Sequence, residues 1–247
     1  MASQSPTPQS PPGGDAPSES VARSLALDGP TAAGKSAVGR ALAERLGFGF
    51  LDTGMMYRAC TRAVLAAGID AEDSEAVIER VRTAGLDVEW PDEPTTPRVL
   101  VDGEDVTDGL REPEVEASVS LISRLPEVRD EMVRRQRAVA ERSPVVMAGR
   151  DIGTRVLTDA RAKIFLAASI EVRARRRLAE ELAAGRETDL ERVIEETARR
   201  DGLDQTGKRA IHPEQAAADA LILDTDALSI DEVVAGALEA YERANAS

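Results

Sequence analysis

Residues 29–36 read Gly-Pro-Thr-Ala-Ala-Gly-Lys-Ser and complete the pattern G-x-x-x-x-G-K-S of a phosphate-binding loop. In such a loop the glycines let backbone N–H groups curl around an anion, the lysine reaches the β- and γ-phosphates, and the serine hydroxyl meets Mg²⁺. The apolar run 24–28 precedes the loop, and Val38, Leu42 and Leu46 recur after it at helical spacing. Strand, loop and helix in this order predict a site for a nucleoside triphosphate.

We expect the whole loop to line that site, with Lys35 acting on the transferred phosphate and Ser36 as the metal ligand. The residues of the expected triphosphate site are Gly29, Pro30, Thr31, Ala32, Ala33, Gly34, Lys35, Ser36 and Ala37. The loop indicates that a nucleotide binds, and the rest of the chain must indicate what becomes of it.

Composition narrows the class of protein. The chain has 247 residues, enough for one large or two small domains, and its net charge of −14 disfavours nucleic acid as a partner. No apolar run approaches the ~20 residues of a membrane helix, and the N-terminus lacks the pattern of a signal peptide. The single cysteine, Cys60, excludes an internal disulfide, and a triad or a His-based metal site would have to rely on His212 alone. We expect a cytoplasmic monomer without a membrane partner.

The order of apolar and polar segments along the chain predicts an α/β fold. Residues 1–22 are rich in Pro, Ser and Gly, which predicts a disordered tail with order beginning near residue 23. Five short apolar strands then alternate with helices, and this alternation favours a parallel sheet covered on both faces. Residues 86–107 break the alternation and are typical of an antiparallel insertion, whereas 201–218 look irregular.

Polar clusters follow the predicted strands, where ligands of open α/β sheets bind. One is Leu-Asp-Thr-Gly-Met-Met-Tyr-Arg at 51–58, and another is Gly-Arg-Asp-Ile-Gly-Thr at 149–154. A third is the arginine-rich stretch 173–209. A phosphoryl-transfer enzyme brings two anions together, and the arginine fork bonds phosphate oxygens bidentately, so these clusters favour that chemistry.

The clusters resemble those of bacterial cytidylate kinases, in the same order and over about residues 24–240. Further matching runs are Ser120, Pro-Glu-Val-Arg at 126–129, Arg-Arg-Gln-Arg at 134–137, Lys-Ile-Phe-Leu-Ala-Ala-Ser at 163–169, Val-Arg-Ala-Arg-Arg-Arg at 172–177, Arg-Asp-Gly-Leu-Asp at 200–204 and Ala-Asp-Ala-Leu-Ile-Leu-Asp at 218–224. The resemblance implies transfer of the γ-phosphate of ATP to CMP or dCMP with Mg²⁺. It also implies a P-loop kinase core (about 23–60 and 144–247), an inserted NMP-binding region (about 68–125) and a helical lid (about 170–212).

Cytosine presents an exocyclic amine that needs an acceptor and ring atoms N3 and O2 that need donors. For these contacts the resemblance points to Ser120, Arg129 and Asp151. It assigns the acceptor phosphate to Arg58, Arg150 and Arg209, the sugar hydroxyl to Arg200 and Asp204, the pocket wall to Asp52, Thr53 and Tyr57, and the ATP phosphates to the lid arginines Arg173, Arg176 and Arg177. The implied catalytic set is Lys35, Arg150, Asp151, Arg200 and Arg209. Lys208 is an alternative to Arg209 as the ligand of the acceptor phosphate. The spacing to the motif downstream favours Arg209.

Departures from the family pattern concern hydroxyl and carboxyl groups. Ala148 stands where an acidic residue usually precedes Gly-Arg-Asp, Ala37 replaces the usual Thr after the loop, and Thr53 replaces Ser. We expect these changes to affect the rate rather than the class of reaction.

Other readings of the sequence remain open at this point. One is a phosphate-loop kinase of another nucleoside monophosphate or of a small alcohol, and base preference would separate it from a CMP kinase. Another is a silent ATP-binding module, which the alanines at 37 and 148 would favour. A nucleic-acid-dependent ATPase is opposed by the net charge and by an aromatic content of 2%.

Overall fold

The computed structural model describes residues 18–91, 93–206 and 212–246, with the backbone alone at 205 and 206. The strands are β1 (Leu25–Asp28), β2 (Gly49–Asp52), β3 (Leu86–Glu89), β4 (Arg98–Val101), β5 (Glu104–Asp105), β6 (Val145–Gly149), β7 (Ala162–Ala167) and β8 (Leu221–Asp224). The α-helices are α1 (Glu19–Arg23), α2 (Lys35–Leu46), α3 (Thr53–Ala66), α4 (Ser74–Thr83), α5 (Pro113–Ile122), α6 (Pro126–Arg142), α7 (Ile170–Ala183), α8 (Leu190–Thr206) and α9 (Ile230–Asn245). Short 3₁₀ helices (Thr107–Arg111, Pro213–Gln215) and a π-helical turn (Ile152–Val156) complete the described chain.

A five-stranded sheet in the order β2-β6-β1-β7-β8 forms the centre, and each strand is parallel to its neighbours. Successive side chains of β1 point to opposite faces. Leu25 and Leu27 pack in a core with α2 and α9, and Ala26 packs in a second core with α3 and α6. This confirms the prediction of a parallel sheet covered on both faces. Because the strands are parallel, their carboxyl ends meet at one edge, where the phosphate loop follows β1.

The insertion at 86–107 forms a separate antiparallel sheet, β3-β4-β5. Its third strand, which the sequence did not predict, follows a tight turn in which Asp102 and Gly103 have φ of 52° and 85°. The β3–β4 connection also pairs with the outer edge of β2: Phe50 N–H donates to Pro94 O (2.8 Å), and the Trp90 indole Nε1 donates to Phe50 O (3.1 Å). These bonds satisfy backbone groups of an edge strand that would otherwise be unpaired.

Order begins earlier than the expected boundary at residue 22, because α1 occupies residues 19–23. Ser18 caps this helix by accepting from Val21 N–H (3.3 Å), and Ser20 Oγ donates to Ala140 O in α6 (2.6 Å). Docking on α6 supplies contacts that the composition of the segment does not reveal. Residues 1–17 of the expected tail lie outside the described residues.

The expectation of irregular structure from residue 201 is wrong for 201–206, which continue α8. The stretch contains Gly202, and glycine weakens a helix by about 1 kcal/mol relative to alanine. Two ion pairs hold the last turns: Asp201 with Arg173 (2.6 Å) and Asp204 with Arg150 (2.9 Å). Tertiary contacts therefore override the local signal.

Within the described part of the chain, no helix combines the length and the apolarity needed to cross a membrane.

Candidate functional site

A cleft of about 670 Å³ opens beyond the carboxyl ends of the central strands. It is lined by the phosphate loop, the start of α3, α5 of the insertion, the turn after β6, and both lid helices, α7 and α8. The predicted site residues that line it are 31–37, Asp52, Thr53, Tyr57, Arg58, Ser120, Arg150, Asp151, Arg176, Arg177, Arg200 and Asp204. Gly29, Pro30, Arg129 and Arg173 are not in its lining, and Lys208 and Arg209 lie outside the described residues.

The phosphate loop has the backbone that its glycines permit. Gly29 and Gly34 have φ of 147° and 93°, and a Cβ at Gly29 would lie 2.5 Å from Leu166 O. Lys35 Nζ donates to Gly29 O (2.8 Å) and Pro30 O (2.6 Å). Burial, and then the charge of Arg150, hold the pKa of Lys35 well below its usual value. The loop and the N-terminus of α2 thus form an anion site whose lysine is bonded to the loop itself.

A hydroxyl and a carboxylate meet at the first turn of α2. Ser36 Oγ donates to Asp52 Oδ2 (3.3 Å), and Asp52 Oδ1 caps α3 by accepting from Gly54 N–H (2.9 Å). Asp52 pairs in register with Ala148 of β6, which is 1% exposed and packs in the apolar core. The neighbour of Asp52 in β6 is therefore a buried alanine, which brings no carboxylate to Ser36.

The side chain of Thr53 also contacts Ala148. Its Oγ1 donates to Ala148 O (3.0 Å), so the hydroxyl joins the start of α3 to β6.

Arg150 lies between the loop and the lid. Its guanidinium donates to Thr31 Oγ1 (2.6 Å), Asp204 Oδ2 (2.9 Å) and Gly29 O (3.3 Å). Arg200 lies nearby, and its pKa is lowered to about 10 by burial and next by the charge of Arg150. The influence of Arg150 on Arg200 indicates that positive charge is concentrated here, in a protein of net charge −14.

The neighbouring Asp151 forms an ion pair with Arg129 of α6 (2.6 Å). The Arg129 side chain is 7% exposed, and its Nη1 atom has no hydrogen-bond partner among the described residues. A buried donor without a partner is costly, by about 1–3 kcal/mol. The pair therefore fixes the Asp151 carboxylate in the cleft wall, beside one buried and unused donor of Arg129.

Sequence reasoning missed Asp28, which holds the turn that carries Arg150 and Asp151. Its two carboxylate oxygens accept from the backbone N–H groups of Ile152 and Gly153, at 2.8 Å each. Burial raises the pKa of Asp28 to about 6, and the charge of Asp151 adds to the shift. The sequence does contain a signal for this role of Asp28, since the residue is an acid at the end of an apolar strand, directly before the loop.

The lid arginines have different environments. Arg176 lines the cleft and donates to Thr225 O (2.6 Å), while Arg177 lines it near Glu181 (3.4 Å). Arg173 is 5% exposed and is bound to Asp201. The structure thus places two of the three expected arginines in the cleft and uses the third to join α7 to α8.

Further lining residues had no motif to mark them. At one end Leu228 and Ile230, which are 37% and 53% exposed, form an apolar wall beside the loop. Arg58 of α3, which lines the cleft, forms an ion pair (2.6 Å) with Glu116 of α5, which is outside the cleft lining and which the sequence did not single out. The sequence marks the apolar wall only by two apolar residues, Leu228 and Ile230, that follow the last predicted strand.

Comparison with known proteins identifies the family. The sequence model of the family described as cytidylate kinase matches residues 25–243. A cytidylate kinase of Geobacillus kaustophilus (strain HTA426) is 50% identical over 216 residues, which cover 87% of this chain and 95% of the relative. A cytidylate kinase of Corynebacterium efficiens is 48% identical over 219 residues, 88% of this chain and 94% of the relative.

Among solved structures, a gluconokinase from Sinorhizobium meliloti 1021 matches with a TM-score of 0.44 and 17% identity, covering 90% of this chain and 93% of that chain. A likeness at this level identifies neither substrate nor mechanism.

Proposed function

The chain belongs to the cytidylate kinase family, and on that premise we propose how its cleft binds two nucleotides and joins them. The reaction transfers the γ-phosphate of ATP to CMP or dCMP and gives ADP with CDP or dCDP. One observation carries the proposal for the site: a single cleft is lined by the phosphate loop, by Ser120 and Asp151, whose carboxylate is held by Arg129, and by Arg58, Arg150 and Arg200.

ATP binds at the loop end. Its β- and γ-phosphates take the loop N–H groups and draw Lys35 away from the carbonyls of Gly29 and Pro30, since a phosphate is a stronger acceptor than a neutral carbonyl. The apolar wall of Leu228 and Ile230 offers a surface for the donor base.

Mg²⁺ fits at Ser36 and Asp52. These residues present a hydroxyl and a carboxylate, the hard oxygen donors that the ion prefers, and the described residues contain no cluster of three acidic, His or Cys ligands that would compete. Mg²⁺ takes few protein ligands and completes its shell with water and phosphate oxygens, so two donors suffice. When bound, the ion neutralises charge on the transferred phosphate.

CMP or dCMP binds at the insertion end. Asp151 and Ser120 accept from the cytosine amine, and the unused donor of Arg129 serves the ring acceptors. Arg58 and Arg150 bind the acceptor phosphate, with Arg209 as their proposed third partner, and Arg200 and Asp204 bind the sugar. The acceptor phosphate is already ionised near pH 7, so no general base is required.

The lid excludes water during transfer. Closing α7 and α8 over the cleft brings Arg176, Arg177 and Arg200 around the transferred group and keeps ATP from being hydrolysed.

We also propose that the protein acts as a monomer in the cytoplasm, without a nucleic-acid or membrane partner. Support comes from the net charge of −14 and from the single, buried cysteine. Light scattering after size exclusion at two protein concentrations tests the monomer.

The experiment that tests the site is an ADP-release assay with ATP and Mg²⁺, offering CMP, dCMP, UMP, AMP and GMP in turn. We expect turnover with CMP and dCMP to dominate. Dominant turnover with another monophosphate would remove Ser120, Arg129 and Asp151 as the base-reading residues. Binding of ATP without any turnover would point to a silent module.

A further inference from the structure

One ion pair engages an arginine that lines the cleft and that the proposed reaction also needs. Arg58 Nε donates to Glu116 Oε1 at 2.6 Å, and the two side chains are 14% and 35% exposed. The Arg58 guanidinium lies against the first turn of α3, since a Cβ built at Gly54 would lie 2.8 Å from its Nη1. It therefore faces the cleft from the core, while Glu116 reaches it from the insertion.

We propose that Glu116 competes with the phosphate of the acceptor nucleotide for Arg58, and that binding of CMP requires this ion pair to open. The inference rests on the proposed role of Arg58 as a phosphate ligand. A guanidinium bonds a carboxylate and a phosphate through the same N–H groups, so a bidentate phosphate contact must displace Glu116 from Nε. Leaving Glu116 in place would set one negative charge against the phosphate dianion.

A smaller cavity of about 240 Å³ gives Glu116 a place to go. It is lined by Glu116 together with Arg177, Arg199 and Arg200 of the lid. A carboxylate that leaves Arg58 thus stays close to three positive charges, which outnumber the one other carboxylate in the lining, that of Glu196. Arrival of the acceptor would therefore turn a contact between core and insertion into one between insertion and lid.

The strength of the competition follows from exposure. Partly exposed ion pairs favour the paired state by about two- to fivefold, and the apparent affinity of a ligand falls by the fraction of protein that is competent to bind it. Glu116→Gln removes the competing charge and keeps the shape of the side chain. We expect it to tighten binding of CMP by about two- to fivefold.

The chain offers a matched control. Arg62 and Glu112 form a second ion pair (2.7 Å) between α3 and the residue preceding α5, outside the lining of the cleft. Glu112→Gln should leave CMP affinity unchanged. If both variants tightened binding equally, a general change of surface charge would explain the effect and the proposal would fail.

The test is isothermal titration of wild type, Glu116→Gln and Glu112→Gln with CMP and with cytidine, which lacks the phosphate. Tighter CMP binding by Glu116→Gln with unchanged cytidine binding supports the competition. Unchanged or weaker CMP binding in a variant that unfolds at the wild-type urea concentration overturns it. Arg58→Met separates this outcome from the premise: if that variant binds CMP like wild type, Arg58 is not a phosphate ligand at all.

Discussion

At the scale of single residues, the chemistry depends on groups whose partners change when substrates bind. Lys35 is bonded to loop carbonyls, Arg150 to Asp204, and Arg58 to Glu116. The carboxylate of Glu116 must leave Arg58 before a phosphate binds there, whereas Lys35 and Arg150 are already held at the proposed phosphate site. Such preorganisation reduces the side-chain ordering that binding would otherwise require.

Lys35→Ala tests the loop. Removing a preorganised cation from the transferred phosphate should lower kcat by about 10²–10³-fold while leaving the fold intact. Turnover of CMP and the far-ultraviolet circular dichroism spectrum provide the two measurements. Unchanged turnover in a folded variant would remove the lysine from the mechanism.

Asp151→Ala tests base recognition. The carboxylate is proposed to accept from the amine of cytosine, and uracil has a carbonyl in that place. The loss in kcat/KM should be about tenfold or more larger for CMP than for UMP. Equal losses on both nucleotides would show that Asp151 acts only through the position of Arg129.

At the scale of elements, the turn after β6 is held at its start by a strand end. Asp28 of β1 accepts both N–H groups at the start of the π-helical turn, and Arg137 of α6 donates to the carbonyls of Arg155 and Val156 near its end (2.7 and 2.9 Å). The carboxylate and the guanidinium together keep the turn, and with it Arg150 and Asp151, at a fixed position over the sheet.

The raised pKa of Asp28 predicts a pH dependence of stability. With a pKa of about 6 in the folded chain and 3.8 as the ordinary value, the native state binds a proton before the unfolded state does as pH falls. The free energy of unfolding contributed by Asp28 therefore decreases as pH rises from about 4 to 6, by about 3 kcal/mol at most.

Urea unfolding of wild type and Asp28→Asn between pH 4 and 7 measures it, because the asparagine does not titrate. The difference in unfolding free energy between the two should shift in favour of the variant across this window. A constant difference would contradict the raised pKa.

The buried ion pair between α7 and α8 predicts a structural role for Arg173. Removing one partner of such a pair costs about 3–5 kcal/mol, so Arg173→Ala should lower the urea midpoint strongly. Arg175→Ala, on the exposed face of the same helix, should change stability by less than about 0.5 kcal/mol. Equal midpoints for the two variants would argue against the role of the pair.

How far the sequence predicts each element depends on where its stabilising partners lie. The five parallel strands are predicted because each is a short apolar run between polar turns, a pattern that is visible in the local sequence. The last turns of α8 are not predicted from the sequence, because the ion pairs that hold them join residues 28 and 54 positions apart. The burial of Arg173, the role of Asp28 and the pairing of Glu116 also depend on residues that are distant in sequence, so the sequence does not predict them. The phosphate loop is a local motif, so the sequence predicts it directly.

At the scale of the whole molecule, the two described ends of the chain meet beside the central sheet. Tyr241 Oη in α9 donates to Arg23 O (2.8 Å), its ring packs edge-on against Phe48 (6.0 Å), and the Arg23 guanidinium lies 5.8 Å from the centre of the Phe48 ring. This cluster lies away from the cleft lining. It closes the core at the amino ends of the strands, opposite to the cleft.

Tyr241→Phe separates stability from activity. It removes the hydroxyl and keeps the ring, so the free energy of unfolding should fall by about 1 kcal/mol with kcat and KM unchanged. Paired unfolding and turnover measurements decide this. A lower kcat at equal stability would connect this end of the molecule to the cleft.

The seam between the insertion and the sheet contains an optical reporter. Trp90 is the only tryptophan in the chain, and its indole donates to Phe50, two residues before the carboxylate that meets Ser36. Native fluorescence therefore reports on this single junction without a label. A red shift that precedes the loss of helical signal in urea would reveal detachment of the insertion as a separate step, and a coincident change would show that both parts of the protein unfold as one cooperative unit.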